Sequence, residues 1–195
     1  MIVVDIETGG LDPRKNPILS IGAVNFDNGY SFYRECKPRS DLVINDQALD
    51  INGFKREDLK DKMSTYMLLE DFNYWVIEQK TDFTIAGENP SFDRDFLFEN
   101  YKHYDIDNKF SHRTVDLHSL AYSHMLSKGF SIPIDNRKNK LNADVIFVYC
   151  GIPAEPRPHN ALIGARYEAE AFSRLIRNKY FYEEFEKFRL FPHGT

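Results

Sequence analysis

Hydrophobic positions along the chain fall into runs whose period changes from two to about 3.6, and these runs lay out the elements. The first is Ile2-Val3-Val4-Asp5-Ile6-Glu7-Thr8, a β-favouring stretch interrupted by two acids. On a strand alternate side chains share a face, so Asp5 and Glu7 point the same way, roughly 6.6 Å apart. Pro17 to Phe26 reads as a second strand, and Asp27-Asn28-Gly29 turns it into a third at Tyr30 to Cys36. Pro38 to Asp61 is polar and weakly periodic, with short helical pieces and no expected catalytic residue. Ser64-Thr65 opens a helix through about Gln79, on which Tyr66, Leu69, Phe72, Asn73, Val76 and Ile77 recur at helical spacing as a core stripe. Phe83 to Ala86 forms a short strand, Gly87 to Pro90 a break, and Phe92 to Tyr101 a helix. Val115 to Leu117 reads as a fifth strand, leading into a helix through about Leu126.

Lys128 to Lys140 reads as an exposed loop, its cluster Arg137-Lys138-Asn139-Lys140 being either a solvated connection or a strand-tracking patch. Asn142 to Tyr149 is helical and ends at Gly151. The last long helix runs from Asn160 to Asn178, with Leu162, Ala165, Ala169, Phe172 and Ile176 on its apolar face. A hairpin followed by alternating strands and helices gives an α/β fold, expected here as a central mixed five-stranded sheet flanked by helices. The domain is expected to span 1–178. The aromatic extension 179–195 is expected to pack on the same domain or to face a partner.

Composition narrows the setting. With 195 residues, 42% of them hydrophobic, the chain suits one domain with a sizeable core. Its net charge of -5 argues against coating long duplex DNA by phosphate neutralisation, though not against a carboxylate-rich active site. Cys36 and Cys150 have no metal-ligand spacing and fit a reducing, cytoplasmic setting. No apolar run approaches the ~20 residues of a membrane helix, so no membrane association is expected.

Two acids inside an apolar strand require a cause. Like charges at the edge of a core repel and are poorly solvated, which a divalent cation would relieve. The plainer alternative puts both on the solvent face of an edge strand. Two further candidates stand at strand-to-helix boundaries, Asp93 and His159, where sites assemble in open α/β sheets.

At this point a resemblance becomes specific. Val4-Asp5-Ile6-Glu7-Thr8-Gly9-Gly10-Leu11-Asp12-Pro13 resembles the first motif of the DEDD superfamily of 3′-5′ exonucleases, whose fold is ribonuclease H-like. Asn89-Pro90-Ser91-Phe92-Asp93 is similar to the second motif. Pro158-His159-Asn160-Ala161-Leu162 is similar to the third motif of the His-containing, DEDDh or DnaQ-like, branch. The three occur in family order across about residues 1 to 176.

The resemblance implies two Mg²⁺ or Mn²⁺ ions, with Asp5 bridging them, Glu7 holding the one that activates water, and Asp93 supporting the other. His159 would be the general base, and the product a nucleoside 5′-monophosphate cut from a single-stranded DNA or RNA 3′ end. Thr8, Gly9, Gly10, Leu11 and Asn89 would contact the terminal nucleotide, with Leu11 wedged against its base, although the glycines could equally just form a turn. Asp95 is expected at the surface, Asp116 and His118 cap or orient a helix, and His103, His112, His124 and His193 have no partner that singles them out. Any polymerase or processing role would need a protein partner in trans.

One position breaks the pattern. The family's last carboxylate falls five residues after its histidine, and position 164 is glycine, inside a strong helical pattern where glycine costs about 1 kcal/mol relative to alanine. Glu168 and Glu170 lie farther along the helix and do not match the motif position. A ligand is therefore expected to be missing, by design or by natural change, and turnover to be impaired. Restoring aspartate at 164 is expected to raise it. The competing readings are a catalytically silent domain that binds nucleic acid or a partner, and a hydrolase of small nucleotides using the same site.

Overall fold

A computed structural model describes residues 1–191. The chain opens with β1 (Ile2–Thr8), β2 (Ile18–Asn25) and β3 (Ser31–Lys37), followed by α1 (Asp46–Asn52), β4 (Met63–Ser64) and α2 (Thr65–Glu78). It continues through β5 (Ile85–Gly87), α3 (Pro90–His103), β6 (Thr114–Asp116) and α4 (Leu117–Ser127). Last come a small hairpin of β7 (Ile134–Asp135) and β8 (Lys138–Asn139), then α5 (Ala143–Cys150) and α6 (Ala161–Arg177).

The main sheet has the order β4-β3-β2-β1-β5-β6. β1, β2 and β3 form an antiparallel meander, while β5 and β6 extend the sheet parallel to β1. The sheet thus has six strands rather than the expected five. The extra one is the pair Met63–Ser64, parallel to Cys36 and Lys37, too short for any alternation to register in sequence. The stretch 128–140 is exposed as expected, but it closes as a hairpin whose turn residues Asn136 and Arg137 both have positive φ, the type I′ arrangement that suits strand twist.

β1 lies inside the sheet, so the edge-strand alternative for Asp5 and Glu7 does not hold. Its even residues Ile2, Val4 and Ile6 pack with Leu68, Leu69, Phe72 and Phe96 of α2 and α3. Its odd face carries Val3, in the core formed with α4, α5 and α6, and on that same face lie Asp5 and Glu7. Burying a single Leu or Phe side chain is worth about 1.5–3 kcal/mol, so these two apolar layers hold the strand that carries the acids in place. On α2 the stripe Leu69, Phe72 and Val76 is buried, whereas Tyr66 and Ile77 are exposed. On α6, Leu175 is buried and Ile176 half exposed.

The helix starts follow from local chemistry. Ser64 Oγ accepts from Met67 N at 3.2 Å, Asn142 Oδ1 from Val145 N at 3.0 Å, and Asp116 from His118 N and Ser119 N. Asn160 Oδ1 accepts from Leu162 N and Ile163 N, which sets the start of α6 directly after His159. Gly22 of β2 lets that start come close, since a Cβ there would overlap the backbone of Ala161.

After α6 the chain folds back over it. Phe185 and Phe191 join the core beside α5 and α6. The segment is tied down by a buried pair, Glu170 with Arg174 at 2.7 Å. Glu170 Oε2 also accepts from Phe181 N and Tyr182 N, and Arg174 donates to the carbonyls of Cys150, Phe185 and Arg189. His193 and the end of the extension lie outside the described residues.

Candidate active site

The C-terminal end of β1, the turn after β5 and the start of α6 meet around a cavity of about 320 Å³. Asp5, Glu7, Asp93, Glu155, His159 and Glu168 all line it. Strand alternation brings in the first two. Asp93 sits in the first turn of α3, and its Oδ1 accepts from Ile6 N at 3.0 Å, fastening that helix start to β1. His159 is delivered by the close approach of α6 to β2, and its backbone N–H donates to Ile51 O at 3.1 Å.

The electrostatics are those of crowded acids. Burial, then the charges of Glu7, Glu168, Asp93 and Glu155, hold the Asp5 carboxyl well above the usual carboxylate range. Burial also pushes Glu7 up to about 7, with Glu155 adding to the shift and Arg157 opposing it. Asp93 and Glu168 are raised mainly by burial, against hydrogen bonds from Ile6 and Glu88 respectively that favour the charged form. Neighbouring negative charge and a shortage of water both favour the protonated form of these acids.

Among the described residues, no three His, Cys, Asp or Glu side chains converge as placed into a ready-made metal cage. The donor set nevertheless fits a hard divalent cation, which takes carboxylate oxygens and would balance the surplus charge. A further sign is that two buried carboxylate oxygens lining the cavity, Glu155 Oε1 and Glu168 Oε2, make no hydrogen bond among the described residues.

His159 is braced. Its Nδ1 lies 2.9 Å from Glu155 Oε2. Such a bond fixes the tautomer and the ring plane and leaves Nε2 to receive a proton. Glu155 is itself buried, and its backbone N–H donates to Asp144 Oδ1.

The residues expected to meet a nucleotide divide. Thr8, Gly10, Leu11 and Asn89 line the cavity, and Leu11 is 84% exposed at its rim. Gly9 does not line it. Its N–H donates to Pro17 O and its carbonyl accepts from Asn45 N, and a Cβ would press on Pro17, so this glycine serves the turn. Thr8 Oγ1 donates to Gly10 O at 2.7 Å, shaping that same turn. Asn89 has a left-handed φ of 52° at the start of α3. Its N–H donates to Asp116 Oδ1. Asp95 is exposed and paired with Arg94.

Gly164 also lines the cavity, and a Cβ there would overlap the Asp5 carboxylate as it stands. Three features escaped the sequence reading. Ile51 and Asn52, from the stretch expected to hold nothing catalytic, wall the cavity, with Asn52 Nδ2 donating to Thr8 O at 3.0 Å. Glu155, four residues before His159, was not singled out. Glu168 misses the motif position, yet helical geometry puts it one turn from Gly164 on the same face, lining the cavity.

Comparison with known proteins gives the family and the fold. Residues 2–172 match the family model described as Exonuclease, RNase T type. The chain belongs to this exonuclease family. Its chemistry is that of a 3′-5′ exonuclease, a hydrolase, and DEDDh members of the family use divalent metal ions. A 3′-5′ DNA exonuclease, Cap18 of Escherichia coli, is 29% identical over 180 residues, covering 90% of each chain. Exonuclease I of E. coli in complex with a 5cy-dA13 oligonucleotide superposes with a TM-score of 0.73 at 19% identity, over 91% of this chain and 40% of that one. The nuclease domain of 3′hExo, a DEDDh family member bound to rAMP, superposes with a TM-score of 0.70 at 13% identity, over 97% and 94% of the two chains. These likenesses carry the ribonuclease H-like fold. PolC-type polymerase III chains among the relatives are far longer, and this chain spans 12% of them. No helix among the described residues is long and apolar enough to cross a membrane.

Proposed function

We propose that the chain is a metal-dependent 3′-5′ exonuclease that removes nucleoside 5′-monophosphates one at a time from a single-stranded nucleic-acid end. The observation that carries this reading is that Asp5, Glu7, Asp93 and His159, from three separated stretches of chain, line one cavity. Asp5, Glu7 and Asp93 would hold Mg²⁺ or Mn²⁺, two ions being expected. Those ions would supply Lewis-acid polarisation of the phosphate and balance the acids. His159 Nε2 takes the proton of the attacking water, and Glu155 at Nδ1 steadies the imidazolium that results. Leu11 at the rim stacks on or wedges beside the terminal base, with Thr8, Gly10 and Asn89 lining the cavity beside it. Exonuclease I, seen with an oligonucleotide, supports the single-strand preference, and Cap18 supports DNA as the first substrate to test. The domain of this reading spans 1–178, with the described part of the extension, 179–191, packed upon it. A partner in trans would supply any polymerase context.

A second reading, a silent domain that binds without cutting, rests on one observation, the glycine at 164. An end-labelled assay separates the two. With Mn²⁺ or Mg²⁺ present, single-stranded DNA or RNA is expected to shorten from its 3′ end with release of 5′-mononucleotides, and Asp93→Asn is expected to abolish the release. Retention of an intact labelled strand with no shortening on either nucleic acid would leave the silent reading. Cleavage of dinucleotides alone would make the substrate a small nucleotide.

A further inference from the structure

We propose that Glu168 supplies the fourth carboxylate of the metal-holding set, in place of the side chain that position 164 lacks. The inference rests on the metal-dependent reading of the cavity and deepens it.

Glu168 is 7% exposed and lines the same cavity as Asp5, Glu7 and Asp93. Its two oxygens differ in their partners. Oε1 accepts from Glu88 N at 3.0 Å, which holds the turn between β5 and α3. Oε2 is buried and makes no hydrogen bond among the described residues. Capping that turn needs only one acceptor oxygen, and a glutamine or a backbone carbonyl would serve. A second buried oxygen with no partner is costly, and a hard cation is the ligand that carboxylate oxygens in such a cluster accept. Glu170, two residues on, provides the contrast. It is equally buried, but Arg174 pairs with it at 2.7 Å, so its place in the fold is explained without any ligand.

Helix geometry makes the exchange feasible. Residues 164 and 168 lie one turn apart on one face of α6, about 6 Å along its axis, and glutamate reaches one methylene farther than aspartate. The absence of a side chain at 164 is used as well, since the Asp5 carboxylate occupies the space a Cβ would need. Gly164 and Glu168 are then two halves of one arrangement. The acid has moved down the helix, and the vacated position admits Asp5.

Titration calorimetry with MnCl₂, on the whole chain free of nucleic acid, tests this with four proteins: the given chain, Glu168→Gln, Asp5→Asn and Gly164→Asp/Glu168→Gln. Glutamine keeps the acceptor for Glu88 N and removes only the charge. Glu168→Gln is expected to lose one equivalent of Mn²⁺ or to bind it roughly tenfold or more weakly, with the melting temperature of the metal-free protein unreduced. The double variant is expected to recover binding. If Glu168→Gln does not fold by circular dichroism, Glu168→Asp, which keeps the charge and shortens the reach, takes its place with the same expectation. Binding by Glu168→Gln equal to that of the given chain, while Asp5→Asn loses it, overturns the role of Glu168 alone. Absence of any Mn²⁺ binding by the given chain overturns the metal-dependent reading and this inference with it.

Discussion

Removing divalent metal should make the protein less stable as pH rises, opposite to the behaviour of a domain held by paired carboxylates. Asp5, Glu7, Asp93 and Glu168 all have carboxyls raised above their ordinary values by burial and mutual repulsion. In the unfolded chain these groups ionise near pH 4, so between there and their folded values the native state binds protons that the unfolded state has released. The stability this gives is fully present below pH 4 and is lost as pH climbs through the folded values. Glu7, moved from 4.5 to about 7, accounts for about 3 kcal/mol by pH 8. For a chain of this length that corresponds to roughly 6–12 °C in melting temperature, with the other three acids acting in the same direction. The assay is a thermal melt in chelator at pH 5, 6.5 and 8, repeated with Mg²⁺ or Mn²⁺, beside Glu7→Gln to subtract titrations elsewhere. Without metal the given chain should lose stability relative to Glu7→Gln as pH rises, and metal should close the gap. Parallel curves for the two proteins across this range would refute the electrostatic account of the cavity.

Three other substitutions probe separate parts of the argument. Glu155→Gln removes the charge beside His159 Nδ1 and should lower kcat by roughly 10–100-fold with little change in KM and an altered pH profile, because it disturbs the base rather than strand binding; a kcat within twofold would deny Glu155 a positioning role. Arg174→Met leaves Glu170 buried and unpaired, so urea unfolding should show a loss of about 3–5 kcal/mol while the folded fraction still degrades DNA, since position 174 is remote from the cavity. Gly22→Ala drives a methyl group into the Ala161 backbone and should cost about 1–3 kcal/mol by the same measurement, with a fall in kcat as the start of α6 moves His159.

The legible parts of the molecule were those written locally. β1 could be read because its apolar run is long and its two acids share a parity, and the starts of α2, α5 and α6 because Ser64, Asn142 and Asn160 are side chains that cap. The six-stranded sheet was not legible, because Met63–Ser64 is a strand only by virtue of its partner Cys36–Lys37. Glu155 reaches His159 along an irregular, proline-rich path from 153 to 159, where no periodicity indicates a shared face. Glu168 was obscured differently. Counting from the histidine selects position 164, whereas the fold selects whichever side chain on that face of α6 enters the cavity. Gly9 and Gly10 carried the same motif signal, yet only Gly10 lines the site, because Pro17 and Asn45 claim the backbone of Gly9.

The structure reverses what the sequence alone suggests for Gly164→Asp. Were the glycine a simple loss, restoring the carboxylate would raise metal-dependent nucleotide release steeply. In the folded chain, however, a side chain at 164 must first displace the Asp5 carboxylate from the space it fills, and Glu168 already brings an acid to that face one turn away. A further acid in this cluster adds to the repulsion that raises Asp5 and Glu7. The single variant is therefore expected to gain less than about twofold in kcat, or to lose activity, within the usual spread for a substitution with no net new transition-state contact. In the Glu168→Gln background the same aspartate should become beneficial, because one acid then replaces another. The sign change between the two backgrounds is the discriminating result, a non-additivity expected only of residues that share a partner. A large gain from Gly164→Asp that persists unchanged with Glu168→Gln would mean that position 164 acts alone and that Glu168 is only the cap of its neighbouring turn.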